Sequence, residues 1–304
     1  MKKLLLIDGM AAVYRAYYAL NKNPRLNSKG MNTSCVLGFT TTLYDLLRSQ
    51  RPTHVGVAFD LQKPTFRHEM YAEYKANREA MPEEIQMGLP WVKRIIEDFR
   101  IPILTCEGYE ADDIIGTLSH KAELAGFDEV IMVTPDKDFA QLVTEHVKMY
   151  RFGRMGRPDT LMGIPEVQEK FGVSNCRQVI DLLGLWGDAS DNIPGIPGVG
   201  EKTAKKLIDQ FGSIEEMVAH ADDIKNEKRF ELCNEAVRYQ DLIRWRDADK
   251  AMKDQGKEIP VFSTTGVEWQ YKNQNYGFKE RNWLLPIPLK ELELNPNMQQ
   301  NAGW

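Results

Sequence analysis

The residues able to do chemistry in this 304-residue chain are acids. "GYEADDIIGTLSH", residues 108–120, sets Glu110, Asp112 and Asp113 within four positions and then turns apolar. Like charges so close repel, so something of opposite sign must favour them. A helix start does so, because carboxylates meet the positive end of the helix dipole. A divalent cation does so more strongly. Other stretches present acids in similar settings: Asp136 and Asp138 in "TPDKD", Asp188 and Asp191 in "GDASDN", and Asp8 and Asp60 at the ends of apolar runs. Each alone fits a turn or a cap. Jointly they form an oxygen-only ligand set with no neighbouring histidine or cysteine, which selects Mg²⁺ or Mn²⁺. Nine acids exceed the needs of one ion. Two ions about 3.5–4 Å apart suit in-line phosphoryl displacement, with a metal-activated water and no protein general base.

Apolar runs place these acids. "KLLLID" (3–8), "HVGVAFD" (54–60), "IPILTC" and "EVIMVTPD" (129–136) read as buried strands. Helical patterns alternate with them, such as "MAAVYRAYYAL" and "CVLGFTTTLYDLLRSQ". That alternation predicts an α/β fold, a mostly parallel sheet with helices on both faces. Sites in such sheets form at the carboxyl ends of the strands. Asp8, Asp60, Asp136 and the Glu110 cluster all fall just past predicted strands. From about residue 164 the pattern is helical, and past about 225 it becomes polar, aromatic and loop-rich.

Composition sets the bounds. The chain is 42% hydrophobic and 27% charged, ordinary for a soluble globular protein. The opening "KKLLLID" is too short for a signal-peptide core, and a cytoplasmic protein is expected. Cys35, Cys106, Cys176 and Cys233 form no CxxC, which predicts reduced, buried thiols rather than zinc or disulfides. A net charge of −5 does not announce a nucleic-acid binder, although a sum can hide a local stripe.

Two basic stretches qualify that balance. "IPGIPGVGEKTAKKL" sets Gly198 and Gly200 before a helix carrying Lys202, Lys205 and Lys206. Free amides at a helix start suit a phosphodiester. Spacing alone fits a glycine turn before a basic surface helix equally well. In "TFRHEMYAEYKANRE", Arg67, Tyr71, Lys75 and Arg78 fall at i, i+4, i+8 and i+11, predicting one helical face with Tyr74 adjacent. Cations interleaved with aromatics suit a single strand; the plainer reading is a solvated face.

"LLLIDGMAAVYRAYYAL", "VAFDLQKPTFRHEMYAEYKANRE", "GYEADDIIGTL", "TPDKDFAQLV" and "LLGLWGDASDNIPGIPGVGEKTAKKLI" resemble, in order, the 5′ nuclease domains of bacterial DNA polymerase I, within the flap endonuclease superfamily. The resemblance runs from residue 1 to about 225. It implies a PIN-like core over 1–163 with a helical arch at about 62–90. It also implies an all-helical DNA-binding subdomain over 164–225, built on a helix–three-turn–helix. By the same resemblance Asp8, Asp60, Glu110 and Asp112 would bind a first metal with Asp113 close by, and Asp136, Asp138, Asp188 and Asp191 a second. Arg15, Lys75 and Arg78 would grip the scissile phosphate, and Arg67, Tyr71 and Tyr74 would face the strand. Gly198, Gly200, Lys202, Thr203, Lys205 and Lys206 would meet duplex DNA, and carbonyls of Ile196 and Val199 would hold K⁺. The implied substrate is branched or nicked duplex DNA with a 5′ single strand. The implied protein is a monomer, away from membranes, with a separate polymerase as possible partner.

"NEKRFELCNEAVRYQDLIRW" and "RNWLLPIPLKELELNPNMQQNAGW" are similar instead to the C-terminus of SusD/RagB glycan-uptake proteins. Residues 226–304 are therefore expected to be a poorly packed fragment of a chimera, with Trp245, Trp269, Trp283 and Trp304 partly exposed, a helix over about 226–245 continuing the nuclease, and loop beyond it. Two competing functions follow. A glycan-binding module would require export, and a catalytically silent binder of branched DNA is opposed by the presence of all nine acids.

Overall fold

The computed structural model describes residues 1–153, 158–224 and 229–256, and beyond them only two short paired strands. The chain runs β1 (Lys3–Asp8), α1 (Gly9–Leu20), α2 (Ser34–Gln50), β2 (His54–Ala58), α3 (Phe66–Met70), α4 (Glu83–Asp98), β3 (Ile103–Leu104), α5 (Ala111–Leu124), β4 (Glu129–Val133), β5 (Val147–Arg151) and β6 (Thr160–Met162). Then come α6 (Ile164–Phe171), α7 (Gln178–Trp186), α8 (Glu201–Phe211), α9 (Ile214–Ala219), α10 (Arg229–Ile243) and α11 (Asp249–Asp254). The sheet order is β3-β2-β1-β4-β5-β6; every pairing is parallel except that of β6. The strands β5 and β6 were not anticipated from sequence. "VKMYR" is short and half polar, so its buried face is set by its neighbours on the sheet.

Alternation along β1 explains the layers. Leu5 and Ile7 pack with Val55, Val57, Ile131 and the helices α1, α2 and α4. Leu4 and Leu6 face the other way, into a core shared by α5, α7, α8 and α10. That second core continues without a break past residue 163, through Val167, Phe171, Leu182, Ile208 and Met217. The helical part is thus sealed onto the sheet rather than hung from it. Among the described residues no helix is long and apolar enough to cross a membrane. All four cysteines are free and buried.

A boundary at 225 is not where the fold ends. Cys233, Ala236, Tyr239, Leu242 and Ile243 of α10 are buried in the same core as α7. A Cβ at Gly184 of α7 would lie 3.0 Å from the Gln240 backbone, so the two helices touch closely. Residues 244–248 then run along α5, where Ala248 N donates to Thr117 Oγ1 (2.8 Å) and Trp245 packs over Gly116. The change in composition after 225 is real, but the apolar positions that matter recur within it at helical spacing. Trp245 is half-buried, while Trp269 and Trp304 lie outside the described residues, as does most of the glycan-protein resemblance; Trp283 opens one of the two short strands.

Asp181 ties these helices together. Its Oδ1 accepts from Ile214 N (3.3 Å) and from Gln240 Nε2. Burial, aided by the nearby Glu215, pushes its carboxyl up from 3.8 to about 6. The folded state therefore holds a proton that the unfolded state releases. Stability contributed at this group falls as pH rises from about 4 to about 6 and stays lower above that. Asp181→Asn, which keeps an acceptor oxygen, removes that loss. Urea unfolding should show variant and wild type equal near pH 4, and the variant steadier by up to about 3 kcal/mol at pH 7. Parallel pH profiles would contradict this.

Candidate active site

The carboxyl ends of the strands do gather the acids. Asp8 ends β1 and caps α1, its Oδ1 accepting from Ala11 N (3.0 Å) and its Oδ2 from the Thr134 hydroxyl (3.2 Å). Asp60, just past β2, accepts from Ala111 N at the start of α5 (2.7 Å). Glu110 is the N-cap of α5. Asp136, past β4, caps a 3₁₀ turn by accepting from Asp138 N (3.1 Å). Capping and site-building are therefore the same act: each cap fixes a carboxylate at the sheet edge. Asp188 and Asp191 arrive from the loop between α7 and α8. That loop is pinned by Asp188 and Ile193, which exchange backbone hydrogen bonds of 2.8 Å. Gly187 and Gly195 let its two arms meet, since a Cβ on Gly195 would sit 2.3 Å from Trp186 carbon.

The acids divide by their counter-charges. Glu110 and Asp191 are held by protein cations: Lys75 Nζ is 2.8 Å from Glu110 Oε1 and 3.7 Å from Asp191 Oδ2, and Arg78 is 2.6 Å from Asp191 Oδ1. Against its burial, Lys75 and Arg78 hold the Asp191 carboxyl below the usual range. Asp188 has Lys137 at 3.1 Å. Among the described residues, Asp8, Asp60, Asp112, Asp136 and Asp138 have no cation within 4 Å. Burial pushes four of these up, with their neighbours adding to it. Asp8 rises to about 7, helped by Asp60 and Asp136. Asp112 rises well above its usual range with Asp136 and Asp8 beside it, and Asp138 does so with Asp136 and Asp188 beside it. Asp136 rises too, under Asp191 and Asp188. One oxygen of Asp138 is buried with no hydrogen-bond partner.

These features fit divalent ions. Asp8, Asp60, Asp112 and Asp136 line a cleft of about 620 Å³ together with Lys75 and Arg78. Uncompensated carboxylates and an unpartnered buried oxygen are what a bound cation would satisfy. Among the described residues no three acids converge on a single point. That spacing suits an ion that keeps most of its water shell and takes one or two carboxylates.

Several expected roles change. The helical face over 65–79 does not exist: α3 ends at Met70, Tyr71 is extended, and Lys75 has φ +56°. Residues 73–77 are instead stitched to the 188–192 loop. Lys75 N donates to Asp191 O (3.0 Å), Asn192 Nδ2 to Glu73 O (2.7 Å) and Asn77 Nδ2 to Ala189 O (2.8 Å). Backbone groups satisfied there leave no demand for a helix, so the 62–90 segment is not a long helical arch. Tyr74 is buried and its hydroxyl lies 2.9 Å from Glu110 and 2.8 Å from Asp191, so its ring is no stacking platform. Tyr71 packs edge-on to Tyr239 under Arg238. Arg15 stacks over Phe152 and donates to Thr42, away from the cleft.

Arg67 and Asp113 do not take their predicted roles. Arg67 is 3% exposed and pairs with both oxygens of Asp113 (2.7 and 2.9 Å). It also donates to the carbonyls of Leu242 (2.7 Å) and Arg244 (3.2 Å). Asp113 is fully buried and accepts from Glu110 N (3.0 Å) and Arg246 N (2.8 Å). With its acceptor capacity taken, Asp113 is a structural anchor and not a ligand. Arg67 reaches the site only at its edge, 3.3 Å from Glu110 Oε2.

In the helical subdomain, Gly198 has φ +81° and Gly200 caps α8. Lys202, Thr203 and Lys206 are exposed, whereas Lys205 is partly committed to Glu201 (2.8 Å). Ile196 is buried and Val199 half-buried, and Ile196 O accepts from Val199 N (2.9 Å). Sequence reading passed over Tyr14, Lys137, Arg151, Lys170 and Trp186, which also line the cleft. Lys137 was discoverable inside "TPDKD"; the others carry no local signal.

The family model "5′-3′ exonuclease, N-terminal resolvase-like domain" matches residues 3–172, and "5′-3′ exonuclease, C-terminal SAM fold" matches 174–245. DNA polymerase I of Bacillus caldotenax is 48% identical over 229 residues, 75% of this chain and 25% of that protein. DNA polymerase I of Bacillus subtilis is 42% identical over 275 residues, 90% of this chain and 30% of that protein. The chain thus spans about a quarter of the length of these relatives. A match covering 90% of the chain runs well past residue 225, which removes the ground for a chimera joined there. A bacteriophage T5 flap endonuclease, solved as a pseudo-enzyme-product complex with DNA and metal ions, superposes with TM-score 0.65 at 23% identity. That match covers 83% of this chain and 92% of that one and bears on the fold.

The buried Arg67–Asp113 pair makes a sharp prediction. Removing either partner leaves a charge uncompensated in the interior, so Arg67→Ala and Asp113→Ala should each cost about 3–5 kcal/mol in urea unfolding. The double variant should lose clearly less than the sum. Strict additivity would show that the two groups do not act as a pair.

Proposed function

This chain belongs to the 5′-3′ exonuclease family, and from that membership and the cleft we propose how it works. It is a structure-selective 5′ nuclease, a 5′→3′ exonuclease and flap endonuclease that hydrolyses DNA phosphodiesters with divalent metal. The observation that carries this reading is the set of carboxylates without a protein cation at the strand ends, Asp8, Asp60, Asp112 and Asp136, in a cleft rimmed by Lys75 and Arg78, with the unpartnered oxygen of Asp138 beside it.

Asp8, Asp60, Glu110 and Asp112 would surround one Mg²⁺ or Mn²⁺, and Asp136, Asp138, Asp188 and Asp191 a second, each ion taking one or two of them directly and the others through its water shell. When bound there, the ions would supply the activation of water and the charge stabilisation that an in-line displacement at phosphorus needs. The chain's own part is to position. Lys75, aimed by its left-handed backbone and by its bond to Asp191 O, presents an ammonium where a non-bridging phosphate oxygen would lie. Arg78, half exposed beside Asp191, guards the same rim. The amides before α8, with Gly198, Gly200, Lys202, Thr203, Lys205 and Lys206, would track the phosphates of the duplex. Carbonyls of Ile196 and Val199 would hold K⁺ in that turn.

The same reading covers the setting. The substrate is branched or nicked DNA bearing a 5′ single strand, met by a monomer in the cytoplasm, where four free thiols persist. The relatives' polymerase segments make a polymerase, joined or separate, the natural partner.

The test is cleavage of a 5′-flap DNA by the full chain in Mg²⁺. Cutting should fall near the junction and stop when EDTA removes the metal. Asp112→Asn should cut at least about 100-fold more slowly, beyond what loss of an outer-shell partner costs, while still binding the flap. An active Asp112→Asn would sink the metal assignment. Flap binding without any cleavage by wild type would leave a DNA-binding protein that is not a nuclease.

A further inference from the structure

The acids are not the only charges that the sheet edge gathers. β5 is parallel to β4, and its last residue, Arg151, lies at the same carboxyl edge as Asp8, Asp60 and Asp136. Lys170, in the last turn of α6, lines the same cleft. Among the described residues neither has a carboxylate within 4 Å. Among the described residues Arg151 donates only to the Pro135 carbonyl (3.3 Å), which leaves most of its guanidinium unused there. The two cations also work against one another. Lost hydration together with the positive charges of Arg151 and Lys137 pushes the Lys170 ammonium down to about 8. Lys137 is already committed to Asp188.

A cleft with unpaired carboxylates along one stretch and unpaired cations along another is built for a ligand of both signs. Metal ions answer the first stretch. Among the described residues the second is met only by the Phe171 ring, 4.9 Å from Lys170 Nζ, and the Pro135 carbonyl, so its charge calls for an anion. We propose that Arg151 and Lys170 bind a phosphodiester of the substrate strand next to the scissile one, which rests on the nuclease reading above. The sheet order supports a neighbouring phosphate. β5 lies two strands from β1, roughly 10 Å at about 4.8 Å per strand, while Glu110, which holds Lys75, starts α5 beside Asp60 at the end of β2 on the other side of β1. One phosphate cannot meet both places. The pair therefore sets the register of the strand across the metal cleft.

The test measures binding of fluorescent 5′-flap DNA to the full chain in Ca²⁺, by anisotropy over a range of KCl. Arg151→Ala/Lys170→Ala should raise Kd about tenfold and lower the slope of log K against log salt by about 1, one neutralised phosphate. A series of flaps, each with one uncharged methylphosphonate linkage, locates that phosphate. The linkage that weakens wild type should leave the double variant's affinity unchanged. Lys170→Gln, a change at an exposed position, carries the same comparison should the double variant fail to fold. An unaltered slope and linkage profile would overturn the pair's role while the nuclease reading stands. Wild type that binds no flap DNA would overturn both.

Discussion

Repulsion among carboxylates at one sheet edge is the constraint that the rest of the structure answers. Four fully buried apolar side chains on β1, Leu4 to Ile7, contribute about 1.5–3 kcal/mol each. The same strand carries Asp8 into the interior, where holding its carboxyl at about 7 costs about 4 kcal/mol when ionised. Apolar burial wins, so the strand forms and the charge is tolerated. The protein then offsets part of the acid charge with its own cations. Lys75 and Arg78 serve Glu110 and Asp191, Lys137 serves Asp188, and Arg67 serves Asp113. What it leaves uncompensated lies in the cleft and, for Asp138, in the small cavity behind it.

The clasp behind that cleft is set by a second group of contacts. Arg67 gathers α3, the start of α5 and the end of α10 onto one guanidinium. Gln141 adds to this, donating to Ile243 O (3.0 Å) and accepting from Trp245 N (3.2 Å). The chain near residue 245 is therefore part of the frame that holds Glu110 in place, and Ile243 and Trp245 line a small cavity behind the acids with Glu110, Asp112, Asp138 and Asp191. The loop at 188–192 plays the equivalent part on the other side by fixing the backbone of Lys75.

How much of this could be read from sequence depended on range. Asp8, Asp60 and Asp136 were legible because a strand end and its acid are neighbours in the chain. The buried α5 start was legible for the same reason. The face built from Arg67, Tyr71, Lys75 and Arg78 was not, because helical spacing presumes a helix, and the chain leaves it at Tyr71 to bond with residues more than a hundred positions away. Arg67 looked like a strand contact because its partners, Asp113 and Leu242 O, are 46 and 175 residues distant. Composition changes at 225, but the helix expected beyond it does continue the fold: Cys233, Ala236 and Tyr239 of α10 are buried in the same core as α7. Arg151 and Lys170 were invisible until the sheet order brought β5 to the cleft.

The central claim is that the uncompensated acids exist to hold divalent cations. Counting Mn²⁺ bound to the full chain at pH 7.5 by electron paramagnetic resonance tests it without reference to activity. The account predicts two ions per chain, both displaced by Mg²⁺, with one lost when Asp138, which bears the unpartnered buried oxygen, becomes Asn. No bound Mn²⁺, or binding that Asp138→Asn leaves untouched, would contradict it.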